Sequence, residues 1–239
     1  IVLAVNRASG KIAWQKIVHT KQPHQSTHES GTWASNSPVV DDEHVTASFG
    51  SNGIYCLNAK TGELVWKKDL GDMQVKHGHG EGASPVLHQN TLVINWDHEG
   101  DSFIVAMDKR TGKQLWRKPR NEPTGWSTPI IVTRGQTTQL IVSATTAVRA
   151  YDLNDGKVLW HIGGLPHNVV ASPVHANGIL YCKNYGSGSS KEPVSARVSG
   201  KPGARAAASS VSDLVVHKVK HGIGPGPAGA LEQLEELGT

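Results

Sequence analysis

Short apolar runs alternate with polar breaks along the chain as far as residue 183, and the breaks follow a fixed frame. Ile54-Tyr55-Cys56-Leu57 and Ile104-Val105-Ala106-Met107 each end at an Asn or Asp, a residue that tolerates turn geometry and bonds its own following backbone. A glycine then supplies the positive φ of a tight hairpin, and a second apolar run begins: Glu63-Leu64-Val65-Trp66 after Gly62, Lys113-Gln114-Leu115-Trp116 after Gly112. The unit is a β-hairpin whose second strand carries a tryptophan. It occurs four times, as Asn6…Gly10…Trp14, Asn58…Gly62…Trp66, Asp108…Gly112…Trp116 and Asp152…Gly156…Trp160. Strict alternation puts Leu64 and Trp66 on one face of the second strand and Val65 on the other, both buried if the sheet is sandwiched.

A second mark keeps the same period. Ser37-Pro38, Ser84-Pro85, Thr128-Pro129 and Ser172-Pro173 each precede apolar residues, and proline, which has no ladder donor, is tolerated at the first position of a strand. The prolines recur at 47, 44 and 44 residues and the tryptophans at 52, 50 and 44. A repeat of that length built only of strands predicts a β-propeller with one four-stranded blade per period.

The hairpin resembles the repeat of the pyrroloquinoline-quinone (PQQ)-like propellers, Ala-x-Asp-x-x-Thr-Gly-x-x-x-Trp, which Ala106 to Trp116 matches at every fixed position. The other copies depart at Cys56 and Asn58, at Asp155, and at Asn6 and Ser9. The resemblance implies an all-β partial propeller over residues 1–183: three complete four-stranded blades, at 37–69, 84–118 and 127–162, flanked by half-blades at 1–18 and from 171. The chain starts in mid-blade, so the first two strands of that blade are expected outside it. From 184 to 239 Gly, Ala, Ser and Pro dominate and no aromatic follows Tyr185. This tail is expected to be disordered or read in a shifted frame, with helical spacing only at Leu231, Leu234 and Leu237.

Composition changes the picture little. Hydrophobic residues make up 37% of 239 and there are seven tryptophans, enough for a large core. The net charge of +4 comes without any Lys/Arg run, which argues against nucleic acid as a partner. No apolar run approaches the ~20 residues of a membrane helix. Cys56 and Cys182 fall in strands of different blades and read as two buried thiols.

In a propeller the connections from outer strand to next inner strand, and from second to third strand, emerge on one face. That gathers His19, His24, His28, His77, His79, His98 and His167 with Glu29, Glu81, Asp97, Glu99 and Asp101. Trp33, His77, His79, Glu81, Trp96, Asp97, His98 and Trp126 are the candidate ligand-binding residues. The three tryptophans suit a ligand groove or packing between blades, and His77-Gly78-His79-Gly80-Glu81 suits a transition metal or a solvated polar face. Asp97-His98-Glu99-Gly100-Asp101 shares only composition with a calcium loop. No nucleophile elbow, phosphate loop or Cys-x-x-Cys occurs. No catalytic residue and no metal site is assigned.

What the resemblance implies about activity divides in two. The first expectation is a non-catalytic scaffold, BamB-like, binding a protein or small ligand on the loop face of an exported or envelope-associated bacterial protein, with no cofactor. The second is a piece of a PQQ-dependent dehydrogenase using the quinone with calcium. The family's adjacent-cysteine disulfide has no counterpart here.

Overall fold

Each Gly-to-Trp hairpin forms where the repeat places it, for local reasons. The side-chain oxygen of Asn58 accepts the backbone N–H groups of Lys60 and Thr61 at 2.9 and 3.0 Å; Asp108 does the same for Arg110 and Thr111, and Asn6 for Ala8 and Ser9. The glycine that follows has φ between +67° and +72° in all four copies, a region costly for any residue with a Cβ.

The strand after the turn then bulges. Leu57 pairs with Leu64 and Cys56 with Trp66, so Val65 has no partner; Ala13, Leu115 and Leu159 are skipped in the same way. The bulge corrects the alternation expected from sequence. Leu64 and Val65 are both about half exposed, as are Leu115 and Val158, because this strand is the outermost of its sheet and the extra residue re-aims the next side chain. The side chain re-aimed is the tryptophan, which always lies opposite a small residue: Ala4, Cys56, Ala106 or Ala150.

The computed structural model describes residues 1–29, 31–163, 169–182, 194–196 and 216–218. Val2–Val5 and Ile12–Lys16 form a two-stranded sheet. Three four-stranded antiparallel meanders follow. The first comprises Val39–Val40, His44–Ser48, Ile54–Asn58 and Leu64–Lys68. The second comprises Val86–His88, Thr91–Trp96, Phe103–Asp108 and Gln114–Pro119. Ile130–Arg134, Thr137–Ser143, Ala147–Asp152 and Val158–Gly163 make the third. The last hairpin, Val174–Ala176 and Ile179–Tyr181, is joined by Val194–Ala196 and Val216–Lys218, so its sheet counts four strands where the sequence pattern gives two. The remainder of the tail, with its expected disorder, lies outside the described residues.

The core lies between sheets. Second and third strands are buried on both faces: Leu92, Ile94, Val105 and Met107 pack with Ile54 of the preceding sheet, while Val93, Ile104 and Ala106 pack with Leu140, Val142 and Tyr151 of the next. Two further contacts lock neighbouring sheets. The indoles of Trp14, Trp66 and Trp116 donate to the carbonyls of Ala59, Lys109 and Leu153 in the next hairpin turn, at 2.8 to 2.9 Å. At the inner end the backbone N–H groups of Ser37, Ser84 and Thr128 donate to the hydroxyls of Ser84, Thr128 and Ser172, at 2.9 to 3.0 Å. The hydroxyl before each proline therefore has a task beyond marking a strand start. Cys56 and Cys182 are buried free thiols.

Candidate functional site

The loops at one end of the sheets are tied to each other by carboxylates. Glu81, in the connection between the first and second full sheets, lies over the turn Gly50–Asn52: its carboxylate accepts the Ser51 N–H at 2.7 Å and the Ser51 hydroxyl. A Cβ on Gly50, whose φ is +55°, would overlap that carboxylate, so a larger residue there would displace the Glu81 side chain. The Ser51 hydroxyl also accepts the Met73 N–H at 2.7 Å, which fixes the start of the same connection. Upstream, His24 Nε2 contacts the Met73 carbonyl at 2.8 Å and the Gln25 side-chain oxygen accepts the Val75 N–H at 3.0 Å.

Beneath the next connection lies a buried ion pair. Arg120 forms two hydrogen bonds to Asp97, at 2.7 and 2.9 Å, with the side chains 1% and 0% exposed, and its third edge meets the Tyr151 hydroxyl. Burial works against the guanidinium charge, but Asp97 outweighs it and leaves the pKa above its usual value. Burial also raises Tyr151. Glu122 binds the N–H and hydroxyl of Thr146 and pairs with Arg149. Glu99 accepts the N–H and hydroxyl of Thr124. Burial alone would raise the Glu99 pKa; the Thr124 bonds, then Lys76 and His77, reverse the sign and lower it. His98 Nδ1 accepts the N–H groups of Gln74 and Gly100, at 3.0 and 3.2 Å, which places the ring proton of a neutral imidazole on Nε2.

The candidate residues consequently sort by depth. Trp33 is 52% exposed, its indole donating to the Gln25 carbonyl at 3.0 Å. His77 and His79 are exposed, and the His79 ring sits 5.2 Å from that of His28, 5.5 Å from His77 and 6.3 Å from Trp126. Trp126 is half-buried and donates to the Gly80 carbonyl at 2.7 Å. Trp96, at 2% exposure, stacks on Phe103 within the core, and Asp97 and His98 are sealed below the surface, so these three shape the face from beneath. His167 lies outside the described residues. Among the described residues no three His, Cys, Asp or Glu side chains are grouped to hold a metal ion. Arg120, Glu122, Thr124 and Ser51 escape a reading of the sequence because nothing in the pattern separates Arg120, buried, from Arg117, which faces solvent.

A PQQ-repeat family model described as outer membrane protein assembly factor BamB matches residues 1–164 and 100–205. A serine/threonine-protein kinase, AfsK of Streptomyces griseus, is 28% identical over 135 residues, 56% of this chain and 16% of the kinase. Outer membrane protein assembly factor BamB of Burkholderia pseudomallei is 28% identical over 137 residues, 55% of this chain and 33% of that protein. The chain thus spans a third or less of these two relatives. The crystal structure of BamB from Moraxella catarrhalis superposes with a TM-score of 0.55 at 16% identity, over 82% of this chain and 54% of that one, a likeness of fold. No helix among the described residues is long and apolar enough to cross a membrane.

Proposed function

This chain belongs to the PQQ-repeat propeller family of outer membrane protein assembly factor BamB, and from that premise we propose that it is a non-catalytic scaffold whose loop face binds a protein partner in the bacterial envelope. One observation carries the reading. The acidic side chains Glu81, Asp97, Glu99 and Glu122 are all engaged within the chain, holding loops in place, and beside the exposed Glu29 and Asp101 the face presents aromatic and imidazole surface around Trp33, His77 and His79. Pinned loops with protruding aromatics suit recognition of another macromolecule, since little ordering is left to be done on binding.

The test is a photo-crosslinking amino acid placed at His79 and, separately, at Val65 on the outer rim, in bacterial cells producing the protein. Adducts with an envelope protein at position 79 and none at 65 support the scaffold. Adducts at neither position remove it. The dehydrogenase reading has its own arm: with added PQQ and calcium, saturable quinone absorbance together with dye reduction would replace the scaffold by an enzyme.

A further inference from the structure

The described sheets stack face to face, and both ends of the stack carry exposed apolar side chains. Leu3 and Val5 stand three and one residues before Asn6 and are 49% and 52% exposed. The same two places before Asn58 and Asp108 hold Tyr55, Leu57, Val105 and Met107, none of them more than 5% exposed. Those four point back along the stack: Tyr55 and Leu57 pack with Val2 and Trp14, Val105 and Met107 with Ile54. Leu3 and Val5 alternate with Val2 and so take the same backward face of their sheet, where no described sheet covers them.

At the other end the relation is reversed. Val174 follows Pro173 and pairs with Tyr181, as Val86 follows Pro85 and pairs with Val93. Val86 and Val93 point forward and pack with Leu140 and Val142 of the next sheet. Ile130 and Ile141, at the same places in the third full sheet, pack with Leu180 and Cys182. Val174 and Tyr181 are 60% and 41% exposed. One end thus offers the backward half of the interface between sheets, and the other end its forward half.

We propose that a second copy of this chain covers these faces, head to tail. Val174 and Tyr181 of one protomer pack on Leu3 and Val5 of the other, repeating between molecules the contact that each sheet makes with the next inside one. The two faces differ, and each has the character of what the other packs against in the interior, so a single heterologous contact covers both. Two copies joined by like faces would set backward half against backward half, a pairing found nowhere within the chain. The intermolecular contact lacks one internal element. No tryptophan follows Trp160, so the end sheet brings no indole to Gly10, which has nothing within 4 Å of its would-be Cβ. Association is therefore weaker than the packing inside the chain and depends on concentration. The loop face has no part in it, so this inference stands or falls apart from the scaffold reading.

Sedimentation velocity of the full chain over a range of concentrations is the test. The parent should form species larger than the monomer as concentration rises. Leu3→Glu with Val5→Glu, and separately Val174→Glu with Tyr181→Glu, should each raise the Kd at least about tenfold, since each sets carboxylates into an apolar contact. An equimolar mixture of the two variants keeps one intact face of each kind, and it should associate with the parent's affinity and stop at a heterodimer. Should either variant fail to fold, Leu3→Cys and Tyr181→Cys proteins mixed with a short bis-maleimide decide, the native thiols being buried; crosslinks should join position 3 of one variant to position 181 of the other. A parent monomeric at every concentration overturns the proposal and leaves the Leu3 face to a sheet of some other protein. Association undiminished in either variant overturns it too, as does a mixture of folded variants that stays monomeric, or crosslinking of position 3 to position 3.

Discussion

The indole of Trp66 lies so close to Gly112 that a Cβ on the glycine would fall 2.9 Å from ring atoms Cδ2 and Cε3. The same relation joins Trp14 to Gly62 and Trp116 to Gly156, with nearest approaches of 2.6 and 2.7 Å. Each of these three tryptophans thus docks on the glycine of the next hairpin and bonds a carbonyl in the same turn. The spacing of Gly and Trp within one copy builds the hairpin, and their apposition between copies builds the stack.

Alanine at these glycines separates the two contributions. Gly10 has the same positive φ but nothing within 4 Å of its would-be Cβ, so Gly10→Ala carries only backbone strain, about 1–2 kcal/mol. Gly112→Ala and Gly156→Ala add overpacking against an indole, for about 2–5 kcal/mol together. Urea denaturation of the three variants gives the comparison; similar losses at all three would mean the indole contact contributes nothing.

Truncating the tryptophans should likewise not cost the same at each copy. Trp116 is 8% exposed, and Trp116→Ala should cost about 3–5 kcal/mol. Trp66 is only partly buried, so its loss should be smaller, and that of Trp160 smaller again, since its indole bonds Gln139 within its own sheet and not a following turn. Denaturant midpoints should fall in the order Trp160→Ala, Trp66→Ala, Trp116→Ala, from least to most destabilised.

Removing one member of the buried pair exposes its dependence on the other. Arg120→Met leaves the Asp97 carboxylate without a counter-charge at zero side-chain exposure, at a cost of about 3–5 kcal/mol. Adding Asp97→Leu should recover most of that. A double variant as unstable as the single one would show that the pair is needed for more than mutual neutralisation.

Legibility in the sequence followed chemical redundancy. The hairpins could be read because four copies of one frame, Asn or Asp to Gly to Trp, repeat the same local turn. The outer-strand bulge could not, since the skipped residues, Ala13, Val65, Leu115 and Leu159, differ little from their neighbours and the shift shows only in the pairing. Gathering of the loops was foreseeable from topology, as Glu81 on Ser51 and Glu122 on Thr146 illustrate. Depth within the face was not: Asp97 and Glu81 look alike in sequence, and it is Arg120, distant by 23 residues, that makes one of them a buried counter-ion.

Acid should find a weak point between the first two full sheets. Lys109 lies 2.6 Å from Asp41, whose carboxylate also accepts the N–H groups of Glu43 and His44. Burial acts to raise the Asp41 pKa; the Lys109 contact and the two backbone bonds outweigh it and take it from 3.8 down to about 2. A carboxyl depressed on folding stabilises fully above its unfolded value, and that contribution is lost as pH falls from about 4 through about 2. Over that window Asp41→Asn should show a shallower fall in stability than the parent, measured by urea midpoints at each pH; parallel curves would contradict the assignment.

The docking of one blade's indole on the next blade's glycine is tested most directly by a double-mutant cycle on Trp66→Ala and Gly112→Ala. With the indole gone, alanine at 112 has room and keeps only its backbone strain. The two losses should therefore fall short of additivity by about 1–3 kcal/mol. Additivity to within about 0.3 kcal/mol would contradict the account, for it would mean that the two residues do not bear on each other.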